Sequence, residues 1–522
     1  MLEQDKCHQA GTGAADRRIR SGHAFVLRHV MPAAFGLAAI AWVFFNTSRY
    51  GAGLVPDSAN YVSAARSLLA GRGLLCSDGT PFVNWPPLFP AILALLGLRG
   101  MDVFVGVRIV NSLVFGTTVF LSIRLLGTAL KSGLLVLAGA LLVVGSNALQ
   151  SVSSMLLSDA VFCLLVVAFT AVLANLLATR TKTLLAMCCV LAALLCLQRY
   201  VGLAIVFAGV LSLLVWLRGS SLRRRVVDAG VLLGAAGLPL SGWLIRNYLV
   251  TSTVTGERSP AVQTVFQKLV MALVIIGDWF RPRMQPGWLA WLLFGFFVAA
   301  LAGLIAAALT NAKRTARSSA MIVRVSAVAL VVFVLTLSVL SSIVALDEVS
   351  PRLLAPIYVP TVILVLCGLE AGGRWLGHKS GRHVVGRGAA LAIAGLSLVH
   401  PLPLSVRISR MWHTRGVGMY TQPEWQESPL LAWLRQDRLE GPVISNDPAA
   451  VYLLLGKEAA MSPRRTQDPV SMYRTGELKR GEYLVWFIGA GRPYLHQVDE
   501  LYRMLPLELV HAAEDGGVFV LR

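Results

Sequence analysis

The chain has 522 residues, is 56% hydrophobic and only 14% charged, and has a mean hydropathy of +0.67. Soluble globular proteins are about 25% charged, so this much apolar sequence needs a bilayer rather than a water-facing fold. The net charge of +20 does not indicate a nucleic-acid partner, because the basic residues cluster in short loops between apolar runs, as the positive-inside rule expects.

The basic N-terminal arm, 1–30, contains Arg17, Arg18, Arg20 and Arg28 and is expected to be cytoplasmic. The first apolar run is followed by Asn46-Thr47-Ser48-Arg49-Tyr50, without the small-residue site of a cleaved signal. Runs of roughly 20 apolar residues predict about eleven spans between 31 and 404. They fall near 31–47, 104–123, 132–148, 159–178, 183–198, 201–217, 229–249, 286–310, 324–345, 353–370 and 388–404. The fifth and sixth are short and share the polar turn Gln198-Arg199-Tyr200.

With an odd number of spans, the basic clusters share the side of the N-terminus. They include Arg124 with Lys131, Arg180 with Lys182, Arg218 with Arg223 to Arg225, Lys313 to Arg317, and Arg374 to Arg387. That side is expected to be the cytoplasm. The opposite side receives the first outer loop at 50–101, Ser158-Asp159, Arg199-Tyr200, Arg246 to Gln285, Asp347 to Arg352 and the tail.

In the first outer loop, Asp57 opens a helix-like run with Ala64, Leu68 and Leu69 on one face. Gly71-Arg72-Gly73 ends it, and Pro86-Pro87 precedes a second short apolar segment. These are expected to be interfacial helices, with a carboxylate at the start of the first. Local spacing equally allows Asp57 or Ser58 to be an N-cap. Asp159 begins an apolar span, where an ionisable group is either functional or a helix-start acid favoured by the macrodipole. Arg199, Arg246 and Arg352 sit at span ends, where snorkelling is the structural alternative. Tyr61 and Trp85 also fit interfacial anchors, and Asp347 fits a solvated loop.

The tail, 405–522, reads as a small α/β domain. Pro429 to Leu439 is helix-like, 441–447 and 482–489 are strand-like, and 507–522 reads as a hairpin turning at Asp515-Gly516-Gly517. The seven cysteines have no CxxC spacing and the histidines are scattered, so no zinc site or disulfide framework is indicated. The expected fold is mainly α: a polytopic transmembrane helix bundle with a small C-terminal α/β domain.

An acid just after the first span, an amphipathic helix and the Trp85-Pro86-Pro87 stretch resemble the C-type (GT-C) polytopic membrane glycosyltransferases. Relatives of that kind include the protein O-mannosyltransferases and aminoarabinose transferases. Ser158-Asp159, Arg199-Tyr200, Arg246-Asn247, and Asp347 through Arg352 with Pro356 extend the resemblance over about 30–405. It implies a hexosyl- or pentosyltransferase that moves a sugar from a polyprenyl-phosphate donor to an extracytoplasmic acceptor with inversion. The acceptor would be a glycolipid, a cell-wall polymer or a protein. Asp57 would be the base and Asp159 a second catalytic acid. Arg199, Arg246 and Arg352 would bind the donor phosphate, and Tyr61, Trp85 and Asp347 would support the acceptor or the site. If a divalent cation is used, Asp57 and Asp159 would hold it. The rival reading is a polytopic transporter or lipid flippase. Such proteins often show internal repeats and ionisable groups near mid-span. No repeat is detectable here, and the ionisable groups lie at span ends.

Overall fold

The structure is a computed structural model that describes residues 29–217, 220–258, 260–280, 288–310, 318–344, 348–436 and 439–522. The N-terminal arm before His29, Arg218, the basic run from Lys313 to Arg317, and Asp347 lie outside these residues.

The chain begins with helix α1 (Met31–Asn46). The first outer loop carries α2 (Pro56–Leu69) and α3 (Leu88–Gly97), the two short helices expected there. Then come α4 (Val103–Ala129), α5 (Gly133–Val144), α6 (Asn147–Ser154), α7 (Asp159–Thr179), α8 (Lys182–Gln198) and α9 (Gly202–Trp216). Next are α10 (Leu222–Thr251), α11 (Val265–Asp278), α12 (Trp288–Thr310) and α13 (Ser318–Ile343). The bundle closes with α14 (Pro351–Leu354), α15 (Tyr358–Lys379), α16 (His383–Val399) and α17 (Pro401–Arg415).

Every expected span falls on helical sequence, but 132–148 is divided between α5 and α6, 353–370 between α14 and α15, and 388–404 between α16 and α17. Residues 286 and 287 of the eighth lie outside the described residues. Six helical stretches are long and apolar enough to cross a membrane on length and composition alone, or seven if α5 and α6, bent by 42°, count as one. α1, α8 and α9 are shorter apolar helices, within the range of 10–17 residues. The last stretch continues through α17 to Arg415, so residue 405 lies inside a helix.

The tail adds α18 (Pro423–Gln426), α19 (Pro429–Gln436), β1 (Val443–Ser445), α20 (Pro448–Leu455), β2 (Ala460–Met461), α21 (Pro469–Thr475), β3 (Tyr483–Phe487), α22 (Val498–Met504), β4 (Leu507–Ala513) and β5 (Gly516–Leu521). The sheet order is β2-β1-β3-β5-β4, parallel around β1 and antiparallel from β3 onward. The hairpin turns at Glu514-Asp515, because Gly516 and Gly517 are already paired with β3. Asp515 is occupied elsewhere: its carboxylate accepts from Ser428 Oγ and from the Leu430 N–H at the start of α19. The first strand is shorter than expected because Asp447 leaves it to cap α20, accepting from the Ala450 N–H at 3.3 Å.

Three chain segments join the tail to the bundle. Gly53 N–H donates to Ser154 O at 2.8 Å, Leu156 N–H returns to Gly53 O at 2.8 Å, and Tyr420 N–H donates to Leu54 O at 3.1 Å. A Cβ on Gly53 would collide with the Val417 carbonyl, so only glycine lets the three pass this closely. α20 packs across α2, and the Arg66 guanidinium lies over the Tyr452 ring. α2 is therefore more enclosed than its amphipathic pattern suggests. Ala64 is buried, while Leu68 and Leu69 remain exposed at its far end.

Candidate functional site

Pro56 starts α2 with a fixed φ suited to the first turn. The cap is supplied by Ser58, whose Oγ accepts from the Val55 N–H at 3.1 Å and donates to Leu156 O at 2.9 Å. Asp57 is thus not needed as the cap. Its Oδ2 instead accepts from Arg352 Nη2 at 2.6 Å, across 295 residues. Arg352 Nε donates to Asp159 Oδ2 at 3.3 Å, and Arg199 Nη1 lies 2.6 Å from Asp159 Oδ1. Asp159, 1% exposed, begins α7 and is held between two guanidinium groups. Burying a carboxylate is costly unless it is paired and hydrogen-bonded, and this one is both.

Arg199 reaches this position because α8 and α9 reverse sharply at 199–201. A Cβ on Gly202 would run into the Leu195 carbonyl, so the reversal depends on glycine. The same guanidinium donates to Ser158 Oγ at 3.3 Å. That hydroxyl also shares a hydrogen bond of 3.0 Å with Tyr61 Oη. Gln198 Nε2 holds Ser158 O at 2.8 Å. Tyr61 is buried behind the site among Phe82, Trp85 and Phe89. Burial, with the Asp57 charge adding to it, pushes the Tyr61 phenol well above its usual range, so it stays protonated.

Asp57, Arg199 and Arg352 open onto a cavity of about 360 Å³. Trp85, Tyr200 and Arg258 also line its polar end, and Phe162, Phe333, Leu337 and Leu340 form the apolar part. Asp57 and Asp159, with Arg199 and Arg352, balance in charge. Arg258 adds a positive charge, and its Nη2 donates to Asn84 O at 3.0 Å.

Four of the expected site residues, Asp57, Asp159, Arg199 and Arg352, form one connected network. Trp85 lines the cavity and Tyr61 buttresses it. Arg246 stands apart from that network. It does not line the cavity; Nη1 donates to Phe82 O at 3.0 Å and to Asn247 Oδ1 at 3.2 Å, and the guanidinium lies over Trp243. With Asn247, which donates to Val83 O and Val254 O, it staples the first outer loop to α10. Arg258 is the residue that sequence reasoning missed; it lies in an irregular loop with no periodic signal. Asp347 lies outside the described residues.

The carboxylate pair was the expected holder of any divalent cation. Arg352 stands between the two, donating to Oδ2 of each. Among the described residues, no group of three or more His, Cys, Asp or Glu comes together. With a guanidinium between them, these two carboxylates do not by themselves fit a bridging divalent cation among the described residues.

No family model matches the chain, and no curated protein matches it in sequence. Solved structures do match it in shape. ArnT from Cupriavidus metallidurans bound to undecaprenyl phosphate aligns with a TM-score of 0.57 at 14% identity, over 93% of this chain and 97% of that one. The archaeal oligosaccharyltransferase AglB from Archaeoglobus fulgidus, in complex with an inhibitory peptide and a dolichol-phosphate, aligns at 0.53 and 11% identity, over 94% and 74%. This is the GT-C fold. With its apolar helices, that fold makes the chain a multi-pass membrane protein. In this chain Asp57 and Asp159 lie together at one end of the helix bundle.

Proposed function

We propose that this GT-C chain is a membrane glycosyltransferase. It takes a sugar from a polyprenyl-phosphate donor and passes it, with inversion, to an acceptor hydroxyl outside the cytoplasm. The acceptor would belong to a glycolipid, a cell-wall polymer or a protein. The observation that carries this is the amphiphilic cavity: Asp57 and three guanidinium groups at its polar end, with an apolar wall from α13 and α7 beyond them. A polyprenyl-phosphate sugar has the same division, with one phosphodiester charge between a sugar and an apolar chain. The surplus positive charge from Arg258 suits that single negative charge. Two proteins of this fold hold undecaprenyl phosphate or a dolichol-phosphate, which supports the same donor class here.

In the proposed reaction, the acceptor hydroxyl attacks the anomeric carbon and gives its proton to Asp57. Asp57 Oδ2 is held by Arg352, and Oδ1 accepts no hydrogen bond among the described residues, so Oδ1 takes the proton. The bond between the anomeric carbon and the phosphate oxygen breaks, and the electron pair leaves with the phosphate. Arg199 and Arg258 stabilise that phosphate through charge-assisted hydrogen bonds. Arg352 fixes the plane of Asp57 and neutralises Asp159. One displacement reverses the anomeric configuration.

The test is reconstitution of the purified chain with polyprenyl-phosphate sugars and hydroxyl acceptors. Product with the opposite anomeric configuration and release of polyprenyl phosphate are expected. Retained configuration, or lipid movement between leaflets without sugar transfer, would overturn the reading. The basic loops support an outward-facing site. An Arg382→Cys variant should therefore react with an impermeant maleimide only after cells are opened, and labelling of intact cells would reverse the orientation.

A further inference from the structure

The opposite end of the bundle holds a second cavity, of about 590 Å³. α7 separates the two: it starts at Asp159 and ends here, 21 residues later, or roughly 30 Å along the helix axis. Arg180, Lys182, Arg223 and Arg224 line this cavity, and among the described residues Asp228 is the one carboxylate in its lining. Arg224 Nε lies 3.9 Å from Asp228 Oδ2, a loose pair one helical turn apart. Arg180, Lys182 and Arg223 have no ion-pair partner among the described residues.

Two further features share the space. Thr181 caps α8, with its Oγ1 accepting from the Leu184 N–H at 3.4 Å. Ser221 caps α10, with its Oγ accepting from the Arg224 N–H at 3.3 Å. These two N-termini offset the negative C-terminal ends of α7 and α9, which reach the same rim at Arg180 and Leu217, so the side-chain cations set its sign. Beyond the rim the lining turns apolar, with Leu185, Ala186, Val227 and Val231. Val227 and Val231 are about half exposed, so the described residues leave this wall partly uncovered.

A free inorganic anion makes no use of an apolar wall, and an acyl chain makes no use of four cations. A choline headgroup would bring a further positive charge into a rim that already holds four cations. We infer that this cavity binds an anionic glycerophospholipid, with its phosphate among Arg180, Lys182 and Arg223 and an acyl chain along Val227 and Val231. Basic recesses between membrane helices hold acidic headgroups for the same reason: each basic residue near the surface favours an anionic lipid. This site stands independently of the transferase reading, because it shares no residue with the Asp57 cavity.

The experiment is native mass spectrometry of the full chain in detergent, titrated with dioleoylphosphatidylglycerol. Phosphatidylcholine, inorganic phosphate and polyprenyl phosphate serve as competitors. Phosphatidylglycerol should bind more tightly than phosphatidylcholine and resist displacement by the other two. The triple variant Arg180→Gln, Lys182→Gln, Arg223→Gln should lose on the order of a hundredfold in affinity, from about fivefold per basic residue. Ala186→Trp keeps all four cations but fills the cavity, and should also lose the lipid. The control triple variant Arg374→Gln, Lys379→Gln, Arg382→Gln, on another basic loop, should bind as the unaltered chain does.

The proposal is overturned by equal binding of phosphatidylcholine, by full displacement with inorganic phosphate or polyprenyl phosphate, or by equal losses in the control. Undiminished binding in both cavity variants would also overturn it. Thermal unfolding of each variant separates lost binding from lost fold.

Discussion

The two ends of α7 use charge in opposite ways. At Asp159 the charges are paired, partly or fully buried and tied to distant chain segments through Arg199 and Arg352. At the other end Arg180, Lys182 and Arg223 are exposed and unpaired among the described residues. Placing a base against an anomeric carbon needs fixed geometry, which a closed ion-pair network and three joined backbone segments provide. Attracting a lipid headgroup needs only potential, which exposed surface cations supply. The same residue types are thus locked together at one end of α7 and left open at the other.

The contrast can be broken most severely at Arg352. Arg352→Met would leave Asp57 without its guanidinium and Asp159 with one partner instead of two. Breaking a buried ion pair from one side costs about 3–5 kcal/mol. Because Arg352 is partly exposed, a loss near the lower end is expected, read as a fall in unfolding temperature of the purified chain. A variant as stable as the original would mean that this end is not locked.

Arg258 and Arg246 sharpen the comparison. Arg258→Gln should weaken binding of a polyprenyl-phosphate sugar by about tenfold to a hundredfold, the equivalent of about 1.5–3 kcal/mol for a hydrogen bond to a charged group. Arg246→Gln should leave donor affinity unchanged and lower stability by about 1–3 kcal/mol, because the Phe82 carbonyl loses its donor. Donor titrations that reverse this pattern would return Arg246 to the phosphate site. The smallest effect is expected from Tyr61→Phe. Loss of one hydrogen bond to Ser158 should cost about 0.5–1.5 kcal/mol of stability with turnover retained. A large fall in turnover would instead place the phenol in the chemistry.

The bundle was legible because a bilayer span imposes a long apolar run, and each such run fell on helical sequence, in three cases with a break the run did not mark. The tail was less so. The two-residue β2 and the short α20, α21 and α22 are too brief for periodicity to register. At the site, Asp57 and Asp159 stood out as acids at membrane boundaries, but their common partner did not. Arg352 lies 295 residues from Asp57 and 193 from Asp159, so no local pattern encodes the pairing. Arg246 shows the same limit from the other side. A basic residue at a span end carries no local mark of the direction its side chain takes, and this one turns to the loop carbonyl at Phe82. Arg258 had no helix or strand to point it out, yet the fold of its loop brings it to the cavity.

The central claim is that Asp57 accepts the acceptor proton, and Asp57→Asn tests it most directly. The carboxamide oxygen can still accept from Arg352, and Ser58 still caps α2, so the variant should unfold near the temperature of the original chain. It cannot act as a base, and removing a general base costs about 10²–10⁴-fold in rate. The measurement is sugar-transfer turnover with a polyprenyl-phosphate donor, beside thermal unfolding of the same preparation. A stable variant with turnover reduced by that factor is the expected result. A stable variant with undiminished turnover would remove Asp57 from the chemistry and leave it as a partner of Arg352 alone.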